Sequence, residues 1–185
     1  MIEFSRLRLL GAALLTATML SGCVSDQKYD SLETQYQQLQ KTMSTEVGAD
    51  QVRITRLQGA IQVDVNSELL FPSGGWQMPP SAAQTIAKMA PILAPQQQNK
   101  LMVNGYTDNT PIGPELASQG VTTNLILSQK RAQTVMNYLI SQGVNPAMVS
   151  SQGFGDANPV APNDTAAGRA KNRRVTLTLV AGPVS

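Results

Sequence analysis

The sequence predicts an α+β domain in which a mixed sheet of about four strands is packed by two main helices. Two observations carry this. Apolar residues alternate with polar ones at Ile61, Val63 and Val65 and again at Val175, Leu177 and Leu179, the period of a half-buried strand. Between them lie two segments of helical spacing. Strands interleaved with helices imply a sheet that is at least partly parallel, with the helices packed on it.

In chain order, residues 61–65 form the first strand, and Leu69-Leu70-Phe71 carries its apolar run into a Pro-Ser-Gly-Gly turn. Ser81, behind Pro79-Pro80, is the expected N-cap of a helix with Ile86, Met89, Ala90 and Leu93 on its inner face, and Pro91 should kink or end it. Residues 101–106 read as a second strand and residues 108–121 as a polar loop. Residues 123–142 form the long helix, with Leu127, Val135, Leu139 and Ile140 largely on one side and Gly143 as its stop. A short strand at 150–154 and the alternating strand around Leu177 complete the domain.

With 185 residues there is room for one domain and its appendages. Hydrophobic residues make up 42% and aromatics only 4%, so the core is aliphatic. A net charge of +2 offers no reason to expect nucleic acid, and no hydrophobic run in the body of the chain is long enough to cross a bilayer.

The N-terminus is more specific. Arg6 and Arg8 precede a short apolar stretch that ends in Leu20-Ser21-Gly22-Cys23. This is a signal segment, too short to span, and the motif resembles the lipobox of bacterial lipoproteins. It implies cleavage after residue 22 and acylation of Cys23, each buried CH₂ contributing roughly 0.8 kcal/mol. Val24 stands where an Asp would resemble an inner-membrane retention signal, so the expected location is the outer membrane, lipid-anchored, with the domain facing the periplasm. Cys23 is the only cysteine, which excludes an intramolecular disulfide.

Residues 23–50 read as a lipidated helical tether, and residues 51–185 as the domain. Tyr29, Leu32, Tyr36, Leu39 and Met43 recur at heptad spacing. Such a seam either self-associates weakly through residues 26–44 or serves as a spacer that docks or frays. A helix of about 25 residues would reach some 37 Å.

The absences narrow the chemistry. With no histidine, Ser-His-Asp and Cys-His catalysis are excluded, as is a histidine-ligated metal. No metal and no cofactor is expected. A glycosidase-type carboxylate pair would have to be Asp108 and Glu115, two acids flanking a proline-containing loop. The expectation is that the chain is not an enzyme.

What is present points to binding. Asn104-Gly105-Tyr106-Thr107-Asp108 is followed by Asn124-Leu125-Ile126-Leu127-Ser128-Gln129-Lys130-Arg131-Ala132. Then come Gly153-Phe154-Gly155, Asn158-Pro159, and Gly168-Arg169-Ala170-Lys171-Asn172-Arg173-Arg174-Val175. In order and spacing these blocks resemble the OmpA C-terminal-like (OmpA/Pal/MotB) peptidoglycan-binding domain family, over about 130 residues. The resemblance implies non-covalent binding of peptidoglycan through the diaminopimelate of its peptide stem. It assigns Asp108 to the ligand ammonium and Arg131 to the carboxylate, whose planar fork suits bidentate contact. It gives Asn124 and Arg173 further polar contacts and puts Thr107 where backbone contacts form.

Asn124 also reads as a local helix cap, Asn172 as a brace for the last strand, and Arg169 and Arg174 as solvated or bracing residues. Tyr106 replaces the family's common histidine, which would alter the pocket floor or remove pH sensitivity. Gly74 cannot supply the polar side chain some relatives place there. The loop 109–123 is longer than in Pal and resembles stator-type members. The implied role is tethering of the outer membrane to the cell wall. The alternative is a peptidoglycan-anchoring part of a larger envelope complex, such as a secretion or motility assembly.

Overall fold

A computed structural model describes residues 22–94 and 99–181, with side chains from Asp30 onward. Most of the expected signal segment, residues 1–21, lies outside the described residues, as do the side chains of Cys23 and Tyr29. Among the described residues no helix is long and apolar enough to cross a membrane.

The sheet has five strands rather than about four: β1 (Val52–Leu57), β2 (Ala60–Asn66), β3 (Lys100–Gly105), β4 (Val149–Gly153) and β5 (Arg174–Val180), ordered β1-β2-β5-β3-β4. Only β3 and β4 run parallel; the other three pairings are antiparallel. Register aligns Ile54 with Val63, Val63 with Leu177 and Leu177 with Val103, so one face carries an aliphatic ladder. The strand not anticipated, β1, does alternate, with Val52 and Ile54 inward and the charged Arg53 outward.

Among the described residues seven α-helices accompany the sheet: α1 (Gly22–Thr42), α2 (Ser44–Gly48), α3 (Ser67–Leu70), α4 (Pro80–Leu93), α5 (Pro114–Ser118), α6 (Asn124–Ser141) and α7 (Ala166–Asn172). The apolar run at Leu69-Leu70 is a helical turn, not a continuation of β2, and the Asn66 side chain caps it by accepting from the Glu68 N–H at 2.9 Å. Helix α4 begins one residue before Ser81, with Pro79 at the N-cap position and Pro80 at the first helical position, where a preset φ favours the helix. Pro91 does not end it. The helix continues to Leu93, because a proline this close to the end disturbs only the last turn. Gly143 does terminate α6, in the left-handed region at φ +98°.

Helix α6 crosses from β3 to β4 and packs on both. Two glycines make the approach close. A Cβ on Gly105 would lie 2.1 Å from the Ser128 carbonyl oxygen, and one on Gly153 would lie 2.3 Å from the Gln129 nitrogen. The β1–β2 half of the sheet is covered instead by α1, which packs on β1, β2 and α4.

This changes the reading of the tether. Leu32, Leu39 and Met43 are buried in the domain's own core, and Tyr36 packs against it. Gln35 donates to the Ile92 carbonyl at 3.0 Å, and Lys88 pairs with Glu46 at 2.6 Å. The heptad seam therefore docks rather than standing free, and the packed unit reaches back to Leu32, across the expected boundary at residue 51.

Candidate functional site

The antiparallel register of β5 with β2 and β3 gathers the site. It sets the end of β2 and the residues after β3 beside those just before β5. Ser67 N–H donates to the Arg173 carbonyl at 2.9 Å, and Tyr106 N–H donates to the Arg174 carbonyl at 2.9 Å. Helix α6 supplies a second wall, since Asn124, Leu127 and Arg131 fall at i, i+3 and i+7 and share one face. Between these walls lies a cleft of about 660 Å³. All five residues expected to bind ligand line it: Thr107, Asp108, Asn124, Arg131 and Arg173. Glu68 and Ser67 line it too, and sequence reasoning missed both. The signal available for them was the polar Asn66-Ser67-Glu68 step that interrupts an otherwise apolar strand.

Asp108 is buried, and each of its carboxylate oxygens accepts one bond. Its Oδ2 accepts from Arg173 Nη1 at 2.6 Å and its Oδ1 from the Thr110 N–H at 3.0 Å. Burial alone would push this carboxyl up, but the bonds from Arg173 and Thr110 outweigh it and hold it below the usual carboxylate range. Arg173 in turn pairs with Glu68. Burial works against its charge, yet the two carboxylates keep it firmly ionised.

Arg131 is different. It is 4% exposed, its Nε donates to the Gly75 carbonyl at 2.8 Å, and its guanidinium lies 5.4 Å over the Phe71 ring. No carboxylate pairs with it among the described residues; Asp108 pairs with Arg173 instead. Burial and the neighbouring Arg173 push the Arg131 guanidinium down to about 10, with Asp108 partly opposing. It remains a cation at neutral pH, poorly solvated and held ready for an anion.

Two hydroxyls behind the cleft wall, Thr107 Oγ1 and Ser67 Oγ, are buried without a hydrogen-bond partner among the described residues. Leaving such a group unsatisfied costs about 1–3 kcal/mol. The Thr107 backbone N–H is already spent on the Gly155 carbonyl at 2.7 Å, so it is not free for the backbone contact expected there.

Asn124 positions rather than caps. Thr123 is the N-cap, accepting from the Ile126 N–H at 3.2 Å. The Asn124 amide donates to the carbonyls of Asp108 and Thr110 at 3.3 and 3.1 Å, fixing the loop that carries Asp108. The rest of the loop contains α5, and Pro111, Ile112 and Leu116 form the far wall of the cleft.

Asn172 braces the loop at residues 160–163 rather than the last strand. Asn172 is wholly buried and bonds to Val160, Ala161 and Asn163, while Arg169 holds the Asn163 carbonyl at 2.8 Å. Arg174 sits 3.8 Å over the Tyr106 ring and near Asp64. Tyr106 stacks on Phe154 and takes no part in lining the cleft, so its substitution for histidine does not reshape the pocket floor. The reason is strand alternation: Gly105 faces the helices, and Tyr106 therefore faces the other way.

Three comparisons bear on this arrangement. The model of the OmpA family matches residues 70–173. The protein named "Probable lipoprotein YiaD", from Escherichia coli (strain K12), is 38% identical over 128 residues, covering 69% of this chain and 55% of its own. "Peptidoglycan-binding protein ArfA" of Mycobacterium tuberculosis (strain ATCC 25618 / H37Rv) is 35% identical over 123 residues, covering 66% and 35%. The match thus spans about half or less of these relatives' lengths. Among solved structures, the cell wall anchor of the T6SS from Pseudomonas aeruginosa superposes with a TM-score of 0.70 at 28% identity, covering 77% of this chain and 96% of that one.

Proposed function

The chain belongs to the OmpA family, and from that premise we propose that it binds peptidoglycan without making or breaking bonds, and so ties the outer membrane to the cell wall. The observation that carries this is the buried Arg131, without a carboxylate partner among the described residues, in one cleft with Asp108. The cleft is lined by two acids, Glu68 and Asp108, and two arginines. A neutral set of fixed, opposed charges fits a zwitterion. The free end of diaminopimelate is one, with an ammonium and a carboxylate on a single carbon. Arg131 takes the carboxylate in fork geometry. Asp108 and Glu68, which keep spare lone pairs beside Arg173, take the ammonium.

A binding role without catalysis is supported by the placement of the two candidate acids. Asp108 is tied to Arg173 and Thr110 in the main cleft, while Glu115 lines a different cavity. The test is a pull-down with purified sacculi. Binding should be strong, competed by free diaminopimelate, and should release no muropeptides. Retention undiminished by millimolar diaminopimelate would refute the ligand.

Anchoring is the second half of the reading. The lipobox ending at Cys23, followed by Val24, supports acylation and sorting to the outer membrane. A palmitate analogue fed to cells should label the wild type and leave Cys23→Ser unlabelled. Equal labelling of both would sink the anchor.

The likeness to a secretion-system wall anchor favours one further reading, in which the same cleft fixes a larger envelope assembly to the wall. Co-purification of stoichiometric partners from crosslinked envelopes distinguishes this role from simple tethering.

A further inference from the structure

A second cavity of about 340 Å³ adjoins the main cleft and shares its Gly74 and Leu116 wall. We propose that it is a subsite for one N-acetylhexosamine residue of the glycan strand, engaged while the stem peptide occupies the main cleft. This rests on the reading of the main cleft given above.

The lining argues for a neutral sugar. Trp76, the only tryptophan in the chain, contributes a flat apolar surface with one N–H at its edge. The Lys130 ammonium lies 5.1 Å from its ring centroid but does not line the cavity, so α6 steadies the indole from outside. Around it stand Gln77, Gln119 and Glu115, whose side chains make no hydrogen bond to the protein among the described residues. An aromatic plane flanked by amides and a carboxylate matches a pyranose, which offers an apolar ring face, hydroxyls and an acetamide. No cation lines this cavity, and its one charged group is an acid, so anions are disfavoured. Its volume sits at the low end of ligand pockets, enough for one ring and not for a chain. Gly74, in the left-handed region at φ +69°, stands on the wall the two cavities share and puts no side chain between them.

The single tryptophan makes the test direct, since it lines this cavity and not the main cleft. The full chain is titrated with a disaccharide-tetrapeptide muropeptide and with the same tetrapeptide lacking sugars. The muropeptide should bind about fivefold to tenfold tighter, a difference near 1 kcal/mol, and should shift the Trp76 emission, whereas the tetrapeptide should bind without shifting it. Gln119→Ala, at the C-cap of α5 and outside the main cleft, should abolish most of the difference, and Trp76→Ala all of it, with tetrapeptide affinity retained. Equal wild-type affinities and no emission change would overturn the subsite and leave the cleft reading intact. A Trp76→Ala variant that loses tetrapeptide and muropeptide affinity alike would also overturn it, because the indole would then act through Gly75 and Arg131. If neither ligand bound the wild type, the cleft reading itself would fall, and the subsite with it.

Discussion

Alanine at Asp108 or at Arg131 is expected to weaken sacculus binding about tenfold or more in a protein that still folds. Each residue contributes charged hydrogen bonds to one end of the ligand, worth roughly 1.5–3 kcal/mol each, and 1.4 kcal/mol is a factor of ten. The two losses have different physical origins. Arg131→Ala removes the cation without a carboxylate partner and also its bond to Gly75, loosening the turn at Pro72 that walls the cleft. Asp108→Ala leaves Arg173 held by Glu68 alone and the Thr110 N–H without its acceptor. Together they should cost less than the sum, since either change already leaves the ligand misaligned. Arg131→Lys should recover binding only in part, because an ammonium lacks the planar fork. Thermal melts establish that each variant folds. Folded alanine variants binding as well as wild type would refute the site.

The second large effect is on stability. Leu39 and Met43 are fully buried, and alanine at either should destabilise the fold by roughly 2–5 kcal/mol, the range for removing large aliphatic side chains from a core. A chain cut to residues 51–185 loses both together and strips the cover from Ile54, Ile61 and Val63, so it should melt far below the chain that begins at residue 24. The longer chain should sediment as a monomer at high micromolar concentration, because its seam is already occupied. Equal melting temperatures for the two would mean that α1 contributes nothing to the fold.

The strands and helices that bury one face were legible because their periods are clean. Val63 and Leu177 alternate, and Leu127, Val135 and Leu139 recur at helical spacing. Ser67–Leu70 was not, since an apolar run of three residues suits a strand and a helical turn equally. The heptad seam shows a similar limit. Spacing identifies the apolar face of α1 but is silent on what covers it, and the uncovered half of the sheet becomes apparent only once strand order is known. At the site, the motifs named residues that line one cleft but did not say how these pair with one another. Which arginine holds Asp108 depends on the register of β3 against β5, a contact between residues 65 apart that no local pattern encodes.

The course of α1 has a mechanical consequence. Leu32 lies at the β1–β2 turn, where Glu33 pairs with Arg56 at 2.6 Å, so the chain enters at that end of the sheet. The cleft lies at the other end, beyond Asn66, the last residue of β2. The seven residues of β2 separate the two by about 23 Å at roughly 3.3 Å per residue. A pull between an anchored N-terminus and a ligand in the cleft therefore runs along the strands. Load in that direction slides α1 along the sheet it packs on, so its buried contacts must give together and not one at a time. The fold thus resists tension along the axis on which a link between two layers would be strained.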